Sequence, residues 1–355
     1  MVDVVVVGAG IVGAAIAYEV ARAGAAVALV DRSVPASGVT GDSFAWIGGP
    51  SGVDAPDGST PLRRSVLADY RRLERDVPGV RVRWTGSLTW DEEGPTDSRC
   101  LGQDEHLVDA AHVRRLEPNL LVPPVRALYK ESDGAVDPVA VTEALVRAAR
   151  AHGAQLAVGT AVTALRVRDG RVVGVETSSG FITARTVVVA AGVDTPMLCG
   201  PLGFDLPVAA SPALLLRFTA APGLVRTLVA SPQIEVRETT PGHLLAAVGY
   251  TGEIGQEDLT GTGRETLRRL AATFAGAEDA RLLDVRLGVR PMPADGLPII
   301  GPLPGVDGAY VAVTHSGVTL APTVGRCVAA EVVDGVEVAQ LRGVRPARFR
   351  DDATD

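Results

Sequence analysis

The chain has 355 residues, of which 46% are hydrophobic and 21% are charged, a balance typical of a folded globular protein. Its net charge of −8 argues against nucleic acid as a partner and against stable docking on an anionic membrane. The three scattered cysteines, Cys100, Cys199 and Cys327, form no CxxC pair, so the sequence predicts no metal site and a reducing compartment.

The chain opens on a predicted strand rather than on a targeting segment. No basic region precedes the four valines at 4–7, and Gly8 interrupts the apolar run at once, so a signal peptide is not expected. No uninterrupted apolar stretch of roughly 18 residues follows, so no membrane span is predicted. We therefore expect a cytoplasmic protein, and the sequence leaves its oligomeric state open.

Residues 4–31 predict one strand–helix–strand unit of a parallel sheet. A short β-branched strand at 4–7 is followed by an alanine-rich helix at 11–23, for which Gly24 is a suitable C-cap. A second buried strand at 26–30 ends at Asp31. The order corresponds to a βαβ crossover.

A GxGxxG motif, Gly8-Ala9-Gly10-Ile11-Val12-Gly13, joins the first strand to the helix. In this context Gly8 permits the tight turn, Gly10 lets the backbone approach a pyrophosphate, and Gly13 allows close packing of helix and strand. The helix N-terminus would face the phosphates with its N–H groups. Asp31 would accept hydrogen bonds from the ribose hydroxyls and would repel a 2′-phosphate, which disfavours NADP. The motif does not separate FAD from NAD.

The remaining elements follow in order along the chain. We expect a loop at 33–60, a helix at 61–76, a strand at 80–90 and a helix at 111–117. Asp137 and Pro138 are placed as the N-cap and first residue of a helix at 138–152. Strands are predicted at 155–158, 161–168, 171–177, 181–184 and 186–190, with more strands within 214–250, a helix at 263–274, a strand at 310–313 and a helix at about 321–333.

This pattern predicts an α/β fold with a discontinuous, Rossmann-like nucleotide-binding domain and an inserted, mostly antiparallel-sheet substrate domain. Predicted strands that are apolar on both faces cluster at both ends of the chain and near 186–190. Strands in which apolar and polar residues alternate lie between them. We assign residues 1–80, 137–205 and 286–355 to the nucleotide-binding domain. Residues 81–136 and 206–285 are assigned to the substrate-binding domain.

Three separated blocks resemble the D-amino-acid oxidase superfamily, in particular its glycine oxidase and sarcosine oxidase branch. The blocks are 4–33 (VVVVGAGIVGAAIAYEVARAGAAVALVDRS), 187–195 (VVVAAGVDT) and 288–304 (GVRPMPADGLPIIGPLP), the last followed by 310–332. The resemblance implies an FAD-binding domain with a glycine oxidase-like fold, the flavin ring lying at the boundary of the two domains.

The resemblance also implies a set of cofactor contacts. The segment from His315 to Thr319 would stabilise negative charge on the flavin through its backbone N–H groups and the following helix N-terminus. No cysteine lies near residue 290, where the sarcosine oxidase branch would attach flavin, so we expect non-covalent FAD. The predicted cofactor-binding residues are Gly8, Gly10, Ile11, Val12, Gly13, Asp31, Arg32, Ser33, Ser43, Val162, Ala191, Gly192, Arg290, Pro298, His315, Ser316, Gly317, Val318 and Thr319.

Arg290 is the main predicted substrate contact, because glycine oxidase-like enzymes carry at this place an arginine that grips the substrate carboxylate. A planar guanidinium can pair with a carboxylate through two hydrogen bonds. The alternative is an ion pair with a structural acid such as Asp295. Gln233 falls near a position where the family usually has a tyrosine, which suggests a substrate larger than glycine. The further predicted substrate-binding residues are Tyr250, Gln233, Trp46, Ile47 and His315.

The resulting function is an FAD-dependent oxidoreductase that oxidises the C–N bond of an amino acid or N-substituted glycine, with dioxygen as the expected acceptor. The substrate would be a small amine that carries a carboxylate. No catalytic side chain is assigned, because flavin N5 is the hydride acceptor and the protein mainly orients the substrate. Three alternatives stay open: a flavin-dependent 2-hydroxy-acid dehydrogenase using His243 or His315 as base, a non-catalytic FAD-binding subunit, and an NAD-binding enzyme.

Overall fold

The computed structural model of the chain describes residues 1–52, 55–91, 101–250, 252 and 259–350, and within them run eighteen strands and eight α-helices. The strands are β1 Val2–Val7, β2 Val27–Val30, β3 Trp46–Ile47, β4 Ser87–Thr89, β5 Glu105–Asp109, β6 Arg126–Lys130, β7 Gly134–Ala135, β8 Gln155–Ala157, β9 Val162–Arg168, β10 Arg171–Thr177, β11 Gly180–Val189, β12 Val208–Thr219, β13 Leu228–Ala230, β14 Glu235–Thr240, β15 His243–Gly249, β16 Arg281–Pro293, β17 Ile299–Pro302 and β18 Ala309–Val313. The helices are α1 Ile11–Arg22, α2 Thr60–Arg63, α3 Val66–Asp76, α4 Ala110–Leu116, α5 Pro138–Ala151, α6 Thr195–Cys199, α7 Leu259–Thr273 and α8 Gly317–Asp334.

The first sheet brings together strands from both ends and the middle of the chain. Its order is β17-β18-β11-β1-β2-β8, and the four contacts from β18 to β8 are parallel. The second half of β11 lies beside β1, so that Val7 is opposite Val189. The first half of β11 forms an antiparallel pair with β10. The carboxyl ends of the parallel strands therefore meet at one edge, where α/β sheets bind their ligands.

The continuous apolar run of β1 is explained by burial on both faces of this sheet. Val4 and Val6 belong to the apolar core shared with the helices α1, α5 and α8. Val5 and Val7 belong to a second core on the opposite face. Because successive side chains of a strand point to opposite sides, the part of β1 that is covered on both sides, Val4–Val7, carries no polar positions.

The second sheet is mixed and mostly antiparallel, with the order β16-β12-β15-β14-β13-β4-β6-β5. Its longest pairing joins β12 to β16, from Val208 opposite Pro293 to Thr219 opposite Arg281. The contact between β13 and β4 is parallel. The predicted fold class is confirmed. The domain boundaries stay a prediction, and β16 runs across the one placed between 285 and 286.

The helix predicted at about 321–333 begins earlier, at Gly317, because Pro322 is accommodated inside α8. Proline has no N–H to donate to the carbonyl four residues before it. That carbonyl, of Val318, instead accepts a hydrogen bond from the buried Tyr70 hydroxyl at 2.5 Å. The side chain of a distant helix thus replaces the missing backbone bond.

Three other predicted elements were wrong in extent. The strand expected at 80–90 is limited to β4, with Arg83 forming only an isolated bridge to Ala135. The helix expected at 61–76 is divided between α2 and α3. The two strands expected at 181–184 and 186–190 are one strand, β11. No helix in the described parts of the chain is long and apolar enough to cross a bilayer.

Candidate functional site

The first glycine turn is too tightly packed to hold larger residues. Gly8 has a positive φ of 104°, and a Cβ atom there would lie 2.4 Å from the carbonyl oxygen of Ala190. A Cβ atom on Gly13 would lie 1.9 Å from the carbonyl oxygen of Gly8. The roles predicted for these two glycines, a tight turn and close packing of α1 on β1, match this geometry.

Two side chains hold the backbone of this turn. The Asp31 carboxylate accepts hydrogen bonds from Ala9 N at 2.6 Å and Ser33 N at 2.7 Å. Thr40 Oγ1 accepts one from Ile11 N at 3.1 Å, so this N–H, predicted to face a phosphate, is already paired. Asp31 therefore organises the turn itself, and its contact with a ribose stays a prediction.

A cavity of about 1190 Å³, called the cofactor cavity below, begins at this turn and extends to the second sheet. It exceeds the roughly 300–1,000 Å³ of an ordinary small-molecule site and suits an extended dinucleotide. Its lining includes most of the predicted residues: Gly8, Gly10, Ile11, Val12, Asp31, Arg32, Ser33, Ser43, Trp46, Val162, Ala191, Gly192, Arg290, His315, Ser316, Gly317, Val318 and Thr319.

Five predicted site residues lie outside the lining of the cofactor cavity. Gly13 packs beneath the turn, and Pro298 is buried away from it. Ile47 is fully buried in the core shared with the helices, so its predicted substrate contact is not supported. Tyr250 packs against the core of the second sheet, and Gln233 lines a separate, smaller pocket. The side chains that point to a substrate are thus fewer than predicted.

Arg290 lies on β16 in the second sheet and lines the cofactor cavity. Its Nε donates to the Ser211 carbonyl oxygen at 3.3 Å and its Nη2 to Ser211 Oγ at 2.9 Å. The alternative of a structural ion pair with Asp295 is wrong, because Asp295 pairs with Arg348 at 2.7 Å. Within the described chain, Arg290 takes part in no salt bridge, which leaves its positive charge available in the cavity.

His315 also lines the cofactor cavity, near Arg290, and its imidazole is neutral. Burial lowers its pKa, and the positive charges of Arg290 and Arg63 lower it further. His243, the other histidine considered as a base, starts β15 at an exposed turn, where its Nδ1 lies 3.3 Å from Thr240 Oγ1. Of the two histidines, His315 is therefore the one placed to contact a substrate.

The loop that carries Trp46 is fixed from two sides. Thr319 Oγ1 donates to the Trp46 carbonyl oxygen at 2.7 Å, which joins the loop to the start of α8. The indole Nε1 donates to Asp133 Oδ2 at 2.8 Å, and Ser87 Oγ donates to the same oxygen at 2.9 Å. Trp46 therefore lines the cavity in a single orientation.

Sequence reasoning missed seven charged residues that line this cavity, among them Asp133, Glu105, Lys130 and Glu235. Asp133 is buried, which raises the pKa of its carboxyl to about 6 despite the nearby Lys130 charge. Lys130 pairs with Glu105 at 3.3 Å. No motif or spacing marks these positions, since strand pairing between distant segments brings them together.

The residues present fit FAD. The glycine turn provides the close backbone approach that a pyrophosphate requires, and a second turn at 315–319, which opens α8, also lines the cofactor cavity. Neither Cys199 nor Cys327 lines it, and both are buried, while Cys100 lies outside the described residues. Among the described residues, no group of three or more His, Cys, Asp or Glu side chains is arranged to hold a metal ion.

Comparison with known proteins supports this assignment along nearly the whole chain. A glycine oxidase from Pseudomonas aeruginosa is 31% identical over 350 residues, covering 90% of this chain and 91% of the relative. A D-amino acid dehydrogenase from Cereibacter sphaeroides is 30% identical over 423 residues, covering 97% of this chain and 96% of the relative. The crystal structure of glycine oxidase from Geobacillus kaustophilus matches with a TM-score of 0.88 at 25% identity, covering 98% of this chain and 99% of that one.

The family model for FAD dependent oxidoreductases, abbreviated DAO, matches residues 3–331. The resemblance and the FAD cofactor predicted from the three sequence blocks are thereby confirmed. The alternative of an NAD-binding enzyme is wrong. The chain belongs to the DAO family of FAD-dependent oxidoreductases.

Proposed function

We propose that this protein oxidises the C–N bond of an amino acid or N-substituted glycine to an imine, which water then hydrolyses. The observation that carries the proposal is the position of Arg290, which lines the cofactor cavity and forms no salt bridge with any residue that the structure describes. A carboxylate bound there would be held by charge-assisted hydrogen bonds. Bound FAD supplies the two-electron acceptor for this reaction.

Arg290 orients the substrate rather than exchanging protons with it. Ser211 holds the guanidinium through Nε and Nη2, so the planar fork is fixed before a substrate arrives. Fixing the carboxylate restricts where the carbon next to the nitrogen lies, and such positioning lowers an activation barrier. Because His315 is neutral, it adds no positive charge beside the amine and can accept a hydrogen bond from it.

We propose that FAD is held without a covalent bond and that dioxygen reoxidises it. The absence of Cys199 and Cys327 from the cavity lining supports the first point. Relatives named as glycine oxidase and as D-amino acid dehydrogenase occur at similar identity, so the acceptor needs a direct assay. Peroxide formation during turnover supports dioxygen, whereas turnover that requires an added dye contradicts it.

The proposal is tested by anaerobic flavin bleaching of the purified, yellow protein. Glycine, sarcosine, D-proline and longer N-alkyl glycines are added in turn, and at least one should bleach the flavin. Replacing Arg290 with Leu should raise KM by roughly two to three orders of magnitude, the effect of removing a desolvated charge partner. Arg286→Leu is the matched control, since Arg286 lies on the same strand with an exposed side chain.

Two outcomes would contradict the proposal. An unchanged KM in Arg290→Leu would remove Arg290 from the site. Retention of FAD with no bleaching by any amine would favour a non-catalytic FAD-binding subunit.

A 2-hydroxy-acid dehydrogenase is the second candidate, because His315 lines the cavity and its lowered pKa leaves it able to accept a hydroxyl proton. Bleaching by glycolate or lactate but by no amine would select this function.

A further inference from the structure

Glu235 places a negative charge in the cofactor cavity on the same sheet as Arg290. It begins β14, where it lies opposite Ala247 of β15, and Ala247 in turn lies opposite Leu215 of β12. All three side chains line the cavity. Leu215 and Ala247 therefore form an apolar surface of the cavity wall, and the Glu235 carboxylate follows Ala247 on the next strand, β14.

The Glu235 carboxylate has no hydrogen-bond partner among the described residues, and no salt bridge joins it to Arg290, although the two side chains are close enough to influence each other. Burial raises the pKa of Glu235, and the Arg290 charge acts in the opposite direction. Glu235 is partly buried, so its carboxylate loses part of its hydration without gaining a partner, and a bound cation would offset this cost.

Three other charged side chains that line the cavity, Lys130, Glu105 and Asp133, have partners of their own. Lys130 pairs with Glu105 and donates to the Gly49 and Pro50 carbonyl oxygens at 3.1 and 2.8 Å. Asp133 accepts two hydrogen bonds through its Oδ2 atom, while its buried Oδ1 has no partner in the described structure. Glu235 differs from these residues because neither of its carboxylate oxygens has a partner among the described residues.

Glu235 also lines the smaller pocket that contains Gln233, Thr266 and Arg269. This pocket has a volume of about 190 Å³, and Ala247 borders it as well. Arg269 does not neutralise Glu235, because its Nε donates to Glu265 at 3.0 Å. A ligand group that reaches Glu235 thus has room beside it.

We infer that Glu235 is a specificity-determining residue and that the substrate carries a cationic group, an ammonium or guanidinium, several bonds away from the carboxylate that Arg290 binds. The aliphatic part between these two groups would pack on Leu215 and Ala247. The expected substrates are basic amino acids or N-aminoalkyl glycines. This inference rests on the proposed oxidation of a C–N bond and names the substrate class for it.

The test compares matched substrates that differ in the distal charge. Lysine is paired with norleucine in both stereoisomers, and N-(2-aminoethyl)glycine is paired with N-propylglycine. The wild-type enzyme should show a kcat/KM roughly tenfold or more higher for the charged member of a pair, the effect of a desolvated charge pair. Glu235→Gln should abolish this preference while leaving kcat/KM for the neutral member nearly unchanged.

Glu235→Lys provides a second variant and should shift the preference toward substrates with a distal carboxylate, such as glutamate. Glu278→Gln is the matched control, because Glu278 is exposed and lines neither pocket. It should leave the preference intact.

The inference is overturned if the wild-type enzyme shows no preference within either pair. It is also overturned if Glu235→Gln lowers kcat/KM equally for both members, since Glu235 would then act on the reacting amine or on the fold. If the Glu235 variants lose FAD, the comparison of charged and neutral substrates with the wild-type enzyme still tests the inference. If only neutral amines reduce the flavin, this inference is contradicted and the proposed function stands. If no amine reduces the flavin, the proposed function itself is contradicted.

Discussion

Replacing Asp133 with Asn should stabilise the protein above pH 6. The Asp133 side chain is 4% exposed, its Oδ1 has no hydrogen-bond partner in the described structure, and burial raises its pKa from 3.8 to about 6. A folded-state pKa above the unfolded one means that the folded protein binds the proton more tightly between these values. Stability is therefore lost as pH rises through this window and stays lower above it.

The magnitude follows from the size of the pKa shift. One pKa unit corresponds to about 1.4 kcal/mol, so a shift of about two units corresponds to roughly 3 kcal/mol at pH 8. Asparagine is neutral at every pH, and its carbonyl oxygen can still accept from Trp46 and Ser87. We expect Asp133→Asn to match the wild type near pH 4 and to exceed its unfolding free energy by about 2–3 kcal/mol at pH 8.

Urea unfolding followed by tryptophan fluorescence from pH 4 to 8, with FAD in excess, measures this difference. Asp279→Asn is the control, because Asp279 is exposed and should give no pH-dependent difference. An Asp133→Asn difference that stays constant with pH, or a wild type that is the more stable protein at pH 8, would refute the reasoning.

Gly13→Ala should lower FAD affinity by roughly tenfold or more, about 1.4 kcal/mol, because its methyl group would lie 1.9 Å from a carbonyl oxygen. Gly200→Ala, with open space around the added methyl group, should leave FAD retention after gel filtration unchanged. Tyr70→Phe should destabilise the protein by about 1–3 kcal/mol, because it leaves the Val318 carbonyl unpaired beside Pro322. An unchanged midpoint of thermal unfolding would contradict this second prediction.

The nucleotide end of the site could be predicted from sequence because its determinants are close together along the chain. The strand, the glycine turn and the helix occupy residues 2–22, and Asp31 follows the next strand directly. The steric demands on Gly8 and Gly13 come from this local packing. The family resemblance added the distant segment at 315–319, which no local pattern would have joined to the first turn.

The substrate end could be predicted only in part, because it depends on the register of paired strands. Gln233 was expected to face the substrate, whereas Glu235, two residues further on, is the side chain of this segment that lines the cofactor cavity. Gln233 lies in the bend before β14 and lines the smaller pocket. A difference of two positions along the chain therefore decides whether a side chain of this segment reaches the cofactor cavity. Asp133 became part of the site only through its contacts with Trp46 and Ser87, which are remote in sequence.

The parallel sheet has a consequence for how this protein is made. β1 leaves the ribosome well before its neighbour β11 and the next strand, β18, which are synthesised much later. Residues 312–319, which line the cofactor cavity, are synthesised later still. Capture of FAD must therefore be a late event in biogenesis, and yellow colour reports chains translated at least through the start of α8.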